Sequence, residues 1–200
     1  MLKVHTLTLG SYQTNCYIIH AEASKTCCVI DPGYTPEIVL DYLEEKGLTA
    51  EAILLTHGHF DHVGGVKQIA AETGCDVYIQ PDDLSMPPMM TDGPLYYTKT
   101  YTDGDRLELA GLHIRVIHTP GHTPGSVCLL VENVMFSGDT LFAGSCGRTD
   151  LPGGDWATIT KSLRRLAAFE TNYCVCPGHG ESTTLAEEQR YNPYMILIFN

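Results

Sequence analysis

The sequence predicts a mixed α/β protein built on sheets, and two observations carry that expectation. Short apolar runs rich in Val, Ile, Leu and Cys alternate along the chain with segments of helical period. Histidine- or aspartate-bearing motifs stand directly after four of those runs, which is where a rigid sheet presents loops to a ligand. The 200 residues suffice for one substantial core. No linker or low-complexity tract divides them, so a single domain over residues 1–200 is expected.

In chain order, "NCYIIH" and "TCCVIDPG" predict two strands joined by the polar "AEASK". "TPEIVLDYLEEKG" predicts a helix with Thr35 as cap, Pro36 in first position, Ile38, Val39, Tyr42 and Leu43 on one face, and Gly47 as stop. "EAILLTH" predicts a buried strand, "DHVGGVKQIAAETG" a helix burying Val63, Val66, Ile69 and Ala70, and "CDVYIQ" another strand. Residues 80–105 contain Met and Tyr without periodicity, and are expected to form a long surface excursion, with a substrate-lining role as the alternative. "LHIRVIHTPG", "SVCLLVE" and "NVMFSGD" predict three more strands. "DWATITKSLRRLAAFE" predicts a helix with Trp156, Ile159, Leu163 and Leu166 facing inward, and "YCVCPGHG" a last strand.

Composition narrows the function. With 44% hydrophobic and 18% charged residues, the chain is expected to be globular. Its 12 basic against 24 acidic side chains give a net charge of −12. Nucleic acid and anionic membrane surfaces are therefore disfavoured as partners, and a small molecule fits better; the oligomeric state is left open. The start "MLKVHTLTLG" lacks the layout of a signal peptide, and no apolar run reaches membrane-spanning length. The eight cysteines include no C-x-x-C pair, and Cys28, Cys128, Cys174 and Cys176 sit inside apolar runs. They are expected to be reduced in a cytoplasmic protein, packed as small hydrophobes rather than binding zinc.

The densest chemistry lies in "THGHFDH", residues 56–62. On a helix, side chains two apart point roughly 200° apart, whereas in extended backbone they share a side. His57, His59 and Asp61 can thus converge only if the helix starts at about Asp61. Distant partners are His122 after "IRVI", Asp139 after "NVMF" and His179 after "YCVC". With His62 these make seven candidate metal-ligating residues: His57, His59, Asp61, His62, His122, Asp139 and His179. Two divalent cations suit that number of donors; imidazole and carboxylate favour zinc, with iron or manganese as alternatives. His5, His20 and His113 read as ordinary hydrogen-bonded histidines, and His118 as a supporting residue rather than a ligand.

These motifs, with "DPG" at Asp31, "TPGHTPGS", "FSGDTLF" and "PGHG" in the same order, resemble the metallo-β-lactamase fold superfamily over nearly the whole chain. The resemblance implies a four-layer αββα sandwich. It implies His57, His59 and His122 on one metal, Asp61, His62 and His179 on the other, Asp139 bridging, and Asp31 as a supporting aspartate. Within the superfamily the chain is most similar to the glyoxalase II type, the hydroxyacylglutathione hydrolases, in a short form. In that type a basic residue and a tyrosine after the bridging aspartate contact glutathione. Here "CGRTDLPGGD" offers Arg148 as the substrate-binding candidate, with Asp150 where the tyrosine would stand. Longer members carry a C-terminal helical region with basic glutathione contacts, and "NPYMILIFN" lies where that region would begin.

The implied chemistry is thioester hydrolysis, as of S-lactoylglutathione, with Asp61, His62 and Asp139 in the catalytic centre. A metal-bridging hydroxide would form near neutral pH because metals lower the pKa of water to about 7. A thiol of pKa about 8.5 leaves without a strong acid. Two alternatives use the same centre. One is a persulfide dioxygenase with a single iron on His57, His122 and Asp139, a type that shares "CGRTD"; the other is a lactonase or esterase.

Overall fold

A computed structural model describes residues 1–196, in which two six-stranded sheets pack face to face. β1 (Leu2–Leu9), β2 (Thr14–Ala21) and β3 (Thr26–Ile30) are antiparallel neighbours. α1 (Pro36–Lys46) crosses to β4 (Thr49–Leu54), parallel to β3. α2 (Phe60–Val63) and α3 (Val66–Thr73) cross to β5 (Asp76–Ile79), again parallel. A 3₁₀ turn (Pro81–Ser85) and α4 (Pro88–Thr91) precede β6 (Lys99–Thr100), which completes the order β1-β2-β3-β4-β5-β6.

The second sheet begins as an antiparallel meander of β7 (Arg106–Leu109), β8 (Leu112–His118), β9 (Val127–Val131) and β10 (Val134–Gly138). A hairpin of β11 (Leu141–Phe142) and β12 (Ser145–Cys146) follows. α5 (Trp156–Ala167) then crosses to β13 (Cys174–Pro177), parallel to β10. β14 (Thr183–Thr184), α6 (Leu185–Tyr191) and α7 (Pro193–Ile196) follow, and the sheet order is β14-β13-β10-β9-β8-β7.

Strand alternation builds the layers. Tyr17 and Ile19 of β2, Ala52 and Leu54 of β4, and Val127, Leu129 and Val131 of β9 enter the core between the sheets. Their neighbours Cys16, Ile18 and Ile53 face outward under α1 and α3, while Cys128 and Leu130 face α5. A strand buried on both faces needs apolar residues at successive positions. That explains why these segments are continuous apolar runs, and it yields the expected αββα order. All eight cysteines are free, and the adjacent Cys27 and Cys28 point to opposite sides of the same sheet.

Several local expectations are corrected. The helix expected over residues 61–74 is broken into α2 and α3 at Gly64 and Gly65, and it begins at Phe60 with His59 as cap. There the amide of Gly65 donates to Pro32 O at 2.9 Å, and a Cβ on Gly65 would stand 2.6 Å from Gly33 O. Docking onto the 32–33 segment interrupts the helix. Thr35 makes no side-chain cap; it adopts a left-handed φ of 67°. Ile38 and Trp156, expected to face inward, are 43% and 52% exposed. Val39 and Leu43 bury the true inner face of α1, and Trp156 instead meets Tyr194 edge-on at 5.8 Å. Residues 80–105 are more ordered than expected, with Tyr101 fully buried.

Candidate metal centre

Four strand ends deliver the seven predicted residues to one point. The segment after β4 carries His57 and His59 and leads into α2 with Asp61 and His62. His122 follows β8, Asp139 follows β10 and His179 follows β13. The donor atoms of His57, His59 and His122 lie within 4.8 Å of one another, and so do those of Asp61, His62 and His179. Asp139 stands between the two groups. Its Oδ2 is 3.4 Å from His122 Nε2 and 3.6 Å from His179 Nε2, and its Oδ1 is 3.4 Å from His62 Nε2.

Hydrogen bonds behind the rings aim them. Nδ1 of His62 donates to Asp31 Oδ2 at 3.0 Å, and Nδ1 of His122 donates to Arg148 O at 2.8 Å. Nδ1 of His57 lies 3.1 Å from Thr56 Oγ1, whose own proton goes to Asp31 Oδ2 at 2.5 Å. Each bond leaves an Nε2 lone pair directed inward. Asp31 also lies within 4.8 Å of His57 and His62 as a possible third donor. Its oxygens, however, accept from the Thr56 amide and hydroxyl and from His62, so it orients the rings.

The donor set fits a pair of divalent cations. His57 Nε2, His59 Nε2 and Asp139 Oδ1 are buried and meet no hydrogen-bond partner. Nδ1 of His59 faces Nε2 of His122 at 2.9 Å, and Nε2 of His62 faces Nε2 of His179 at 3.3 Å. Converging imidazole nitrogens and carboxylates, desolvated and partly unsatisfied, are what borderline cations complete.

The electrostatics divide the site. Burial, reinforced by the neighbouring imidazoles, pushes His57 well below the usual histidine range and His59 down to about 4, so both rings stay neutral. Burial would also depress His62, but the charges of Asp139 and Asp31 outweigh it and raise it to about 9. For His179 burial is likewise overcome, by its hydrogen bond to Asp61 and the charge of Asp139, and its pKa rises. Asp61 is held below the carboxylate range: burial opposes this, but the His179 hydrogen bond and the His62 charge prevail. His57 and His59 are thus ready as neutral donors, whereas His62 and His179 hold protons beside Asp61 and Asp139 that a cation binding there would displace.

Residues without a sequence signal hold these loops. Asn15 Nδ2 donates to Pro177 O at 3.1 Å and Gly180 O at 2.9 Å, and Tyr17 Oη donates to Pro177 O at 2.6 Å. Strand β2 of the first sheet thereby fastens the His179 loop of the second. Thr14 Oγ1 reaches Asp61 Oδ2 at 3.3 Å. His118 supports the neighbouring loop, not a ligand ring, through Nε2 to Pro124 O at 2.8 Å. His5 and His20 stack on each other far from the site, and His113 is exposed.

Above the cluster opens a cavity of about 380 Å³ walled by Tyr12, Phe60, Met90, Phe142 and Leu151. Met90 is the contribution of the 80–105 segment to this wall. Arg148 lines the rim, where its guanidinium grips Asp150 through two bonds of 2.7 Å.

The sequence profile described as the metallo-beta-lactamase superfamily matches residues 9–179. The hydroxyacylglutathione hydrolase GloC of Haemophilus influenzae is 32% identical, covering 97% of this chain and 98% of its own. Of solved structures, TTHA1623 in a di-iron-bound form superposes with a TM-score of 0.84 at 39% identity, covering 96% of this chain and 100% of that one. The BLEG-1 B3 metallo-beta-lactamase superposes with a TM-score of 0.84 at 35% identity, covering 98% and 99% of the two chains.

Proposed function

The chain belongs to the metallo-beta-lactamase superfamily, and we propose that within it the protein is a dinuclear metallohydrolase acting on a small thioester. The observation that carries this reading is the pairing of two donor groups, His57–His59–His122 and Asp61–His62–His179, with Asp139 between them at the floor of one cavity. Zinc is the first proposed metal on donor chemistry, and the di-iron form of TTHA1623 makes iron the second. When bound, two such cations supply hydroxide near neutral pH, at a water pKa of about 7, and a Lewis acid for a carbonyl oxygen.

The protein's own residues prepare that chemistry. Asp31 keeps the Nδ1 proton of His62 turned away from the centre, and the Arg148 carbonyl does the same for His122. Phe60, Phe142 and Leu151 give the substrate an apolar bed that sheds water and holds it over Asp139. A thiolate leaving group, with a conjugate pKa of about 8.5, departs without a dedicated proton donor. Among the described residues, no lysine or glutamate lines the cavity, in keeping with a leaving group of that kind. The name carried by GloC points the same way.

S-lactoylglutathione is the first substrate to test. Arg148 is the guanidinium at the cavity rim, so glutathione carboxylates would have to draw it from Asp150. The one-iron dioxygenase reading leaves Asp61, His62 and His179 without a role, which favours the two-metal reading. The test is a panel of thioesters, with and without glutathione, on protein of measured metal content, with oxygen uptake on glutathione persulfide in parallel. Thioester hydrolysis that rises with two metals per chain and vanishes in Asp139→Ala is expected. One iron per chain with rapid oxygen uptake would overturn the proposal.

A further inference from the structure

Asp83 sits on the 3₁₀ turn after β5, outside the seven clustered residues, and is 0% exposed. Its Oδ2 accepts from the amide of Gly58 at 2.7 Å and from Thr123 Oγ1 at 3.0 Å, and its Oδ1 accepts from the amide of Gly125 at 2.6 Å. Gly58 lies between His57 and His59, and Thr123 follows His122. One carboxylate therefore grips both segments that carry the three-imidazole group.

Those segments come from different sheets, one after β4 and the other after β8. A backbone bond from Val127 N to Thr56 O at 2.8 Å joins them at their base. Asp83 joins them at the level of the imidazoles. The glycines fit this arrangement. A Cβ on Gly125 would stand 2.7 Å from both Cγ and Oδ1 of Asp83, and one on Gly58 would stand 3.4 Å from Oδ2. The close approach at Gly125 thus requires the absence of a side chain.

The cost of this contact argues against a passive role. Burial pushes the Asp83 carboxyl above its usual range, against the pull of its three donors. No cationic side chain pairs with it among the described residues. A lone buried carboxylate persists only where charge-assisted hydrogen bonds offset its desolvation, and every such bond from another segment comes from the histidine-bearing loops.

We propose that Asp83 is a positioning residue that sets the spacing of His57 and His59 against His122 and so governs metal affinity at that group selectively. The proposal rests on metal binding by the cluster and not on the thioester reading. Losing the clamp lets the two loops drift apart while Asp61, His62 and His179, held by Asp31 and β2, keep their places.

The experiment is Zn(II) titration of metal-depleted full-length protein by chelator competition, repeated with Co(II) and read by absorption. Wild type should show two binding steps, and His179→Ala identifies the step that belongs to the Asp61–His62–His179 group. Asp83→Asn, which keeps the shape but turns an amide toward backbone N–H groups, should weaken the other step about 10–100-fold. It should leave the His179-dependent step unchanged. Thr123→Val, which removes one of the three donors, should weaken the same step by less, and keeps the test open if Asp83→Asn fails to fold. Equal weakening of both steps, or wild-type affinity at both in folded Asp83→Asn, would overturn the proposal. Wild-type protein that takes up no metal would instead overturn the metal-centre reading beneath it.

Discussion

Oδ2 of Asp31 lies 3.0 Å from Nδ1 of His62, and the two side chains are no more than 2% exposed. The same oxygen accepts the Thr56 hydroxyl, which in turn meets Nδ1 of His57. One carboxylate therefore orders a ring in each donor group. Asp31→Asn should weaken both metal-binding steps, by about 10–100-fold each, in contrast to the selective loss expected at Asp83. Asp31→Ala strands the buried Thr56 amide and His62 and should cost about 3–5 kcal/mol in urea unfolding. Retained affinity at both steps in Asp31→Asn would refute the orienting role.

Arg148 and Asp150 form a bidentate pair at the cavity rim, with both side chains well exposed. Asp150→Ala should free the guanidinium for an anionic substrate. The KM for a carboxylate-bearing thioester should then fall several-fold, since the guanidinium no longer has an internal carboxylate competing for its donors. A neutral thioester should be unaffected. Steady-state kinetics on the two substrates check this, and equal shifts in both would refute it.

Arg165 holds Asp103 below the usual carboxylate range through bonds of 2.8 and 3.0 Å. A depressed folded pKa means that the pair stabilises fully above the ordinary value of about 3.9. Its contribution disappears as pH falls through the lower folded value. Because the pair is 39% and 46% exposed, its contribution should be about 0–1 kcal/mol. Thermal unfolding of Asp103→Asn should lie slightly below wild type at about pH 6 and converge with it in strong acid. A gap that widens on acidification would contradict the pairing.

Phe136 is fully buried between the sheets, with its ring centroid 5.1 Å from that of Tyr17. Phe136→Ala should cost about 3–5 kcal/mol in denaturant unfolding. The cavity would also loosen Tyr17, whose hydroxyl holds the Pro177 carbonyl beside the His179 loop. Metal affinity should accordingly fall at the step lost in His179→Ala; an unchanged step would show that the core and the loop are uncoupled.

Much of the architecture is legible residue by residue. The runs at 51–55 and 126–132 announce doubly buried strands, because alternation vanishes when both faces are covered. His57 and His59 announce a shared side through their two-residue spacing after a strand. Helix faces were harder: Ile38 and Trp156 fit the helical period but lie at the margin of the buried arc, where packing decides. The break at Gly64 and Gly65 depends on the approach of residues 32–33, a contact with no local pattern.

By itself the sequence determined the layered sheets, the four strand ends that carry donors, and family membership, since each is written in local periodicity or in motif spacing. Tertiary structure alone decided that Asp139 stands between the two groups, that Asp31 ties the loop after β4 to His62 while Asp83 ties it to the His122 loop, and that Asp150 occupies Arg148. The reason is physical. Backbone geometry sets the direction of neighbours a few residues apart, whereas His59 and His122, 63 residues apart, are brought together only by packing one sheet on the other. Their separation is a property of that core and of the carboxylates that brace it.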